Sequence, residues 1–417
     1  MHLIDEVCTV GRSNANTFAV GHDEAGTKLP LISKVHFAVR KSSEVIILVD
    51  KSTNGTFVNG YKLGFDKSRR LLHNDLISFT NPSQNQYIFL RAGSDYLQGD
   101  FPEELKQKYV ISRDLGAGAF GVVKLGFMKE DQGEKSSNIT IPVAIKRINK
   151  LKFPCDKEFN KTFNEVDILK ALQHPNIIKL WDVINLGNEL YIILEYANGG
   201  ELFDTVIENC KLDEKQAKLY FYQIVSAVQH MHQNSIVHRD LKLENILLCC
   251  RDNEDIPSLV KVTDFGLSKM VNQETFLKTV CGTKLYVAPE IIRANVDEFQ
   301  SEGNEKYNLK VDMWSLGVIL YIILTGSSPF DQNCVGKSIE KQICDGDFSF
   351  PPSLWASVSF EAKDLVRHLL VVNSQKRYNC DQATNHDWLM EPEMLDRANE
   401  ITDKEQKRLC IMFQKNM

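Results

Sequence analysis

The feature that most constrains this chain is a change of hydrophobic period near residue 100. Up to about residue 92 the apolar residues come in short runs, Val45 to Val49, Thr56 to Val58, Leu76 to Phe79 and Tyr87 to Leu90. Asn54-Gly55 and Asn59-Gly60 stand between them as tight turns. Such runs predict strands, and this many in succession predicts an all-β sandwich or barrel. From Tyr109 three strand-like stretches (Tyr109–Leu115, Val122–Phe127, Val143–Ile148) give way to helical spacing over Phe163–Leu172, Lys215–His232 and Phe360–Val372. That half reads as α+β with a mostly helical C-terminal part. Residues 93–108 are polar, with Gly and Pro, and suit a linker, while the weakly basic 390–417 suits a solvated terminal helix. The division expected is 1–92, 93–108, 109–389 and 390–417.

Charge and composition remove several classes of function. The chain has 49 basic against 55 acidic side chains, a formal charge of −6. That excludes a basic nucleic-acid-coating protein, so no direct nucleic-acid partner is expected. The longest apolar run, Trp314 to Thr325, is far shorter than the roughly 20 residues of a membrane span. The opening MHLIDEVCTV has no basic segment followed by an apolar one, so an intracellular, non-secreted protein is expected. Ten cysteines form no CxxC pair and read as buried reduced thiols. Residues 1–98 are net +2 and the remainder net −8, which fits an anion-binding front and a cation-preferring back.

The chemistry of the back half is written in order. Gly116-Ala-Gly118-Ala-Phe-Gly121-Val-Val123 would let a hairpin backbone approach phosphates with no Cβ in the way, although alone this string is weak. Val143-Ala-Ile-Lys146 follows two strands later. A lysine inside an apolar strand needs a counter-charge, and Glu165 on FNEVDILKAL is the natural partner. Then come His238-Arg239-Asp240-Leu-Lys242-Leu-Glu244-Asn245 and Asp264-Phe265-Gly266. Asp240 can accept a hydroxyl proton, Asn245 and Asp264 are hard oxygen ligands for Mg²⁺, and Lys146 can hold α- and β-phosphates.

At this point the sequence resembles the eukaryotic protein kinases, from Tyr109 to Leu389. The resemblance implies a bilobal α+β fold, with ATP and Mg²⁺ as cofactors and proteins as substrates. It implies catalytic roles for Lys146, Glu165, Asp240 and Lys242, the last marking serine/threonine substrates. ATP contacts are implied for Leu115, Gly116, Gly118, Gly121, Val123, Lys146, Glu195, Ala197, Glu201, Glu244, Asn245 and Asp264, and metal contacts for Asn245 and Asp264. Leu194 would be the gatekeeper ahead of the hinge. Glu201 and Glu244 stand where basophilic kinases meet arginines upstream of the target hydroxyl; the alternative for Glu201 is the ATP ribose. Leu243 replaces the usual proline, which should touch loop rigidity more than chemistry. Ala288-Pro-Glu290 closes the activation segment, with Arg377 expected as the partner of Glu290 and Asp312 opening the helix DMWSLGVILYIIL. Arg239 calls for a phosphate on the segment, with Thr279 and Thr283 as acceptors; Thr279 is the better placed, and the alternative for Thr283 is direct contact with Asp240. Residues 294–306 are an acidic insertion to which no chemistry is assigned.

In the front half, Gly11-Arg12, Ser33-Lys34-Val-His36 and Thr53-Asn54-Gly55 lie between the expected strands. Arg12 offers a fork to phosphate, Ser33 and Lys34 a donor and a charge, and Asn54 a hold on a peptide backbone. His36 reads as a buried brace. The set resembles the forkhead-associated domain over about residues 5–92, which implies phosphothreonine-peptide contacts for Arg12, Ser33, Lys34, Thr53 and Asn54. A forkhead-associated domain joined to such a kinase is the arrangement of the checkpoint kinase 2 family of DNA-damage effectors. That resemblance implies an upstream damage-sensing kinase, transient homodimerisation through phosphothreonine, trans-autophosphorylation, and a nuclear location with the cytoplasm as the alternative. The family's Ser/Thr-Gln cluster has no counterpart: there is no Thr-Gln pair, and Ser83-Gln84 and Ser374-Gln375 stand alone. A partner, or a longer form of the chain, would then supply the activating phosphothreonine.

Overall fold

The structure is a computed structural model. It describes residues 6–20, 31–41, 45–71, 75–80, 86–89, 101–118, 121–129, 141–150, 166, 170, 172–249, 258–264, 283–294, 305–331 and 336–414. The chain divides into two compact units, Met1–Asn149 with Trp181–Asn198, and Lys150–Leu180 with Gly199–Met417.

The first unit opens with a β-sandwich. One sheet has the order β2-β1-β3-β4-β7, built on β1 (Val7–Gly11), β3 (Phe37–Lys41) and β4 (Ile46–Asp50), with β7 (Ser68–Arg70) at one edge. The other has the order β6-β5-β8-β9, built on β5 (Thr56–Val58) and β8 (Leu76–Phe79), with β6 (Tyr61–Lys62) and β9 (Gln86–Ile88) at its edges. Side chains of alternate register meet in one core of Val10, Phe37, Val39, Leu48, Val58, Ile77 and Phe79. Each such residue, fully buried, contributes about 1.5–3 kcal/mol. Strand β1 is flanked by β2 and β3, and the edge strand β2 (Phe18–Ala19) is only two residues long, which limits edge pairing.

The same unit holds a second five-stranded sheet of order β10-β11-β12-β14-β13. Its strands are β10 (Tyr109–Gly118), β11 (Gly121–Met128), β12 (Pro142–Asn149), β13 (Leu180–Leu186) and β14 (Glu189–Glu195). The segment read as a linker departs from that reading in its second half. Glu103–Lys108 is a helix, α1, and Phe101 and Leu105 pack into the core of Tyr109, Ile111, Val143, Ile145 and Tyr191. Two apolar side chains among polar neighbours were enough to fix it. Leu76 of the sandwich packs with Leu125 and Phe127 of β11, so the two sheets of this unit share an apolar contact.

The second unit is helical. Described helices include α2 (Leu202–Asn209), α3 (Glu214–Gln233), α4 (Pro289–Ala294), α5 (Glu305–Thr325), α6 (Ile339–Asp345), α7 (Pro352–Trp355), α8 (Phe360–Leu369), α9 (Cys380–Thr384) and α10 (Pro392–Gln414). Asp213 caps α3 by accepting the N–H groups of Lys215 and Gln216, both at 3.0 Å. The small sheet β15-β16-β17 (Gly200–Glu201, Ile246–Leu248, Val260–Val262) carries the loops that matter below.

The terminal helix is more engaged than a solvated one. Met394, Ala398 and Glu405 of α10 are buried, and Glu405 lies 3.8 Å from the fully buried ammonium of Lys261 on β17. The cysteines differ in the same way: Cys8 and Cys380 are buried thiols, but Cys210 is exposed. No described helix is long and apolar enough to cross a membrane.

Candidate active site and phosphopeptide site

In the first unit, β10 and β11 form the glycine hairpin, with Gly116 opposite Val123 and Gly118 opposite Gly121. A Cβ on Gly121 would lie 1.6 Å from the carbonyl oxygen of Arg147, so only glycine fits, whereas nothing lies within 4 Å of the same position on Gly116. The first glycine is required by strand packing and the second leaves its surroundings open. Leu115 packs at the edge of the Leu125–Phe127 cluster. Lys146 is half-buried on the central strand β12, opposite Val123 on one side and Ile192 on the other. Its expected partner Glu165 lies outside the described residues. Leu194 and Glu195 end β14 in the interior, and Ala197 follows half-buried.

In the second unit the catalytic loop is held by a set of hydrogen bonds. Asn245 donates from its amide to the backbone oxygen of Asp240 (2.7 Å) and to its Oδ2 (3.0 Å). Lys242 Nζ lies 3.1 Å from that same Oδ2. His238 is fully buried; its Nδ1 accepts the Asp240 N–H at 3.3 Å, so Nε2–H donates to the carbonyl of Thr263 at 2.9 Å. The Thr263 N–H in turn donates to the Asn245 carbonyl at 2.9 Å. This ties the loop to the residue before Asp264. Leu243, in the proline's place, is 1 % exposed in the 3-10 turn Leu243–Asn245, and its side chain leaves the Asp240–Asn245 bonds intact.

Two residues here, Arg239 (φ 68°) and Asp264 (φ 60°), hold the left-handed backbone that side chains disfavour. Each such position costs about 1–3 kcal/mol and persists only where its surroundings impose it. For Arg239 the imposing group is Asp312, whose part in the site its position in DMWSLGVILYIIL did not reveal. Its carboxylate is wholly buried and accepts the N–H of Arg239 (2.8 Å), the N–H of His238 (2.9 Å) and His232 Nε2–H (2.9 Å). Burial pushes the Asp312 carboxyl up, but the bond and charge of His232, the His238 ring and the Arg239 N–H outweigh it and hold it below the usual carboxylate range. The sequence signal is there, since a carboxylate within an apolar helix is costly unless it has donors.

Glu290 and Arg377 meet as expected, in a buried two-pronged pair at 2.7 and 2.9 Å. Arg377 also donates to the carbonyls of Val371 and Lys310 and lies over the Trp314 ring. Thr283 begins the 3-10 turn Thr283–Tyr286, while Thr279 and residues 265–282 lie outside the described residues, as does most of the 294–306 insertion.

Glu201 and Glu244 belong to one acidic patch. Burial raises the Glu201 carboxyl above its usual range, and the nearby charges of Asp204 and Glu244 push it further up against the pull of Lys242. Glu244 Oε2 is shielded from solvent and has no hydrogen-bond partner among the described residues. A buried carboxylate oxygen without a donor is uncommon and can accept a further hydrogen bond.

The residues expected to contact a phosphopeptide lie together on the sandwich loops. The Arg12 N–H donates to the Ser33 carbonyl at 3.0 Å, and Ser33 Oγ accepts the Thr53 N–H at 3.0 Å. Asn54 donates to the Leu31 carbonyl at 2.8 Å. Arg12, Lys34, Thr53 and Asn54 are exposed and Ser33 half-buried. A Cβ on Gly11 would lie 2.4 Å from the Lys34 carbonyl, so glycine is what lets Arg12 approach this loop.

His36 is wholly buried beneath the loops: its Nδ1 accepts the Ser33 N–H at 3.1 Å, leaving Nε2–H to donate to the Gly55 carbonyl at 3.0 Å. Burial lowers its basicity, partly offset by the Gly55 bond and the Asp50 charge. Asp50, absent from the expected set, accepts four bonds from Ser52 and Thr56 at 2.6–3.2 Å. Burial raises its carboxyl, but those bonds together hold it below the usual range.

Residues 109–389 match the protein kinase domain and residues 8–80 the FHA, or forkhead-associated, domain. The ovarian-specific serine/threonine-protein kinase Lok of Drosophila melanogaster is 35% identical over 406 residues, covering 96% of this chain and 82% of its own length. The serine/threonine-protein kinase chk-2 of Caenorhabditis elegans is 35% identical, covering 86% of this chain and 72% of its own. The chain spans about half the length of other relatives, such as the probable serine/threonine-protein kinase fhkD of Dictyostelium discoideum, at 40% identity and 46% of that protein. The crystal structure of Rad53 1-466 in complex with AMP-PNP aligns with a TM-score of 0.57 at 30% identity, over 93% of this chain and 92% of that one. With an FHA domain ahead of a serine/threonine kinase domain, the chain belongs to the protein kinases of the checkpoint kinase 2-like family.

Proposed function

We propose that this kinase transfers the γ-phosphoryl group of Mg·ATP to serine or threonine in segments with basic residues upstream. We propose too that its FHA domain holds a phosphothreonine that brings two chains together. The observation that carries the proposal is the Asp240 carboxylate, held by Asn245 and Lys242 in a loop fixed by Asp312. Asp240 orients the substrate hydroxyl and takes its proton; Lys242 stands beside it to offset charge on the transferring group. Asn245 donates both side-chain amide bonds to Asp240, which leaves its side-chain oxygen Oδ1 as an acceptor, and Asp264 adds a carboxylate. Such hard oxygens suit Mg²⁺, which when bound offsets the charge of the nucleotide phosphates. Lys146 and the glycine hairpin would hold those phosphates, and Rad53, which is similar in structure, was crystallised with AMP-PNP.

The preference for basic residues rests on the Glu201–Asp204–Glu244 patch and the unpartnered Glu244 oxygen. A guanidinium there forms charge-assisted hydrogen bonds worth about 1.5–3 kcal/mol. Phosphothreonine pairing would concentrate two kinase domains, so that each phosphorylates Thr279 and Thr283 of the other, in nuclear DNA-damage signalling triggered by an upstream kinase. The test is the rate of autophosphorylation per chain against protein concentration, with and without a competing phosphothreonine peptide. The rate should climb with concentration and fall with competitor; a rate indifferent to both would reject the pairing.

A further inference from the structure

Among the described residues, Asp364, His368 and His386 are a group of His, Cys, Asp or Glu side chains spaced to hold a metal ion. They lie in the second unit and take no part in the chemistry above. Asp364 and His368 are one helical turn apart on α8 and so share a face, and His386 is the N-cap of the 3-10 turn Asp387–Leu389. His368 Nδ1 lies 3.4 Å and His386 Nε2 3.2 Å from one carboxylate oxygen, Asp364 Oδ2. All three donor atoms fall within 4.8 Å of one another.

We propose that these three side chains bind a zinc-class divalent cation. Bonds of about 2.0–2.1 Å at a tetrahedral ion place neighbouring ligand atoms about 3.3–3.4 Å apart, which the two measured separations match. Two imidazoles and a carboxylate suit zinc and not Mg²⁺ or Ca²⁺, which prefer all-oxygen shells. The Tyr378 ring stacks on His368 with centroids 4.2 Å apart and fixes its plane. His386 is nearly buried, while Asp364 and His368 are about one-third exposed, which leaves a fourth position open to water.

The site carries a built-in cost. His386 Nδ1 now accepts the Trp388 N–H at 3.2 Å, and His368 Nδ1–H donates to the Asp364 carbonyl at 2.9 Å. Zinc at His386 Nε2 and His368 Nδ1 moves each ring proton to its other nitrogen, so these two bonds, and the one His386 Nε2–H donates to Asp364 Oδ2 at 3.2 Å, are given up with no net proton release. Binding is therefore micromolar in class, not that of a zinc finger. The ion would clip α8 to the turn leading into Trp388 and α10, and so raise the unfolding temperature of the helical unit.

Zinc binding by the full chain, in excess Mg²⁺, tests this by calorimetry and thermal unfolding. His368→Ala is the main variant, since His368 is partly exposed, and Asp364→Asn the second. One zinc per chain is expected, with affinity at least ~10-fold weaker in both variants and a zinc-dependent rise in unfolding temperature lost with it. Wild type that takes up no zinc, or His368→Ala that binds it as tightly, would overturn the proposal.

Discussion

The loops of the FHA domain and the catalytic loop both present polar groups to phosphate, yet they are held in opposite ways. In the first, Arg12, Lys34, Thr53 and Asn54 are exposed, and the braces His36 and Asp50 are buried beneath them. In the second, the working groups themselves are enclosed: Asn245 is buried, Asp240 half-buried, and one interior carboxylate, Asp312, holds the backbone in a conformation it would not adopt alone. A binding surface must be open to a peptide already formed, so its order is supplied from below. A transfer site must hold charge still while a bond changes, so its order comes from all sides. Losses at the first should therefore appear in affinity, and losses at the second in rate or in folding.

Asp240→Asn should lower phosphate transfer by about 10²–10⁴-fold, the usual contribution of a positioned general base, while phosphothreonine-peptide affinity stays unchanged. Steady-state peptide phosphorylation and a fluorescence titration together check this. Next in size is Arg377→Met, which leaves the buried Glu290 carboxylate without its partner. About 3–5 kcal/mol should be lost from the helical unit in urea unfolding, with the FHA domain's peptide affinity unaffected.

Arg12→Ala should behave in the converse way. Phosphothreonine-peptide binding should weaken by about 1.5–3 kcal/mol, and an already phosphorylated enzyme should keep its turnover on peptides. The smallest effect concerns pH. His174 is held neutral by burial, then by His230 and Lys261, with its pKa lowered to about 4. The unfolded chain takes up this proton below about 6.5 and the folded one does not until about 4. Stability is therefore present above pH 6.5 and lost as pH falls toward 4, by at most about 1.4 kcal/mol per unit. His174→Gln should flatten that part of the stability curve; an unchanged slope would place the loss elsewhere.

How far the sequence carried the reading depends on the range of each interaction. The ordered motifs from Gly116 to Asp264 were legible because each names its chemistry locally, and the strands around Thr56–Val58 and Leu76–Phe79 because their period does. Asp312, expected to open a helix, lies inside α5, which begins at Glu305, and its hold on Arg239, 73 residues earlier, belongs to no local pattern. The helix Glu103–Lys108 is hidden because five polar residues conceal one buried leucine, and the docking of α10 because Glu405 gains its meaning only from Lys261. In each case a polar or isolated residue found its partner at long range, where neither composition nor periodicity reaches.

On the proposed function, the Asp240 loop transfers phosphate to the kinase's own activation segment. Intact mass of wild type and Asp240→Asn before and after Mg·ATP, with peptide mapping of residues 264–290, decides this. Phosphate on Thr279 or Thr283 in the wild type alone is the predicted result. Equal phosphate on both proteins, or none on either even when a phosphothreonine peptide dimer joins the chains, would contradict it.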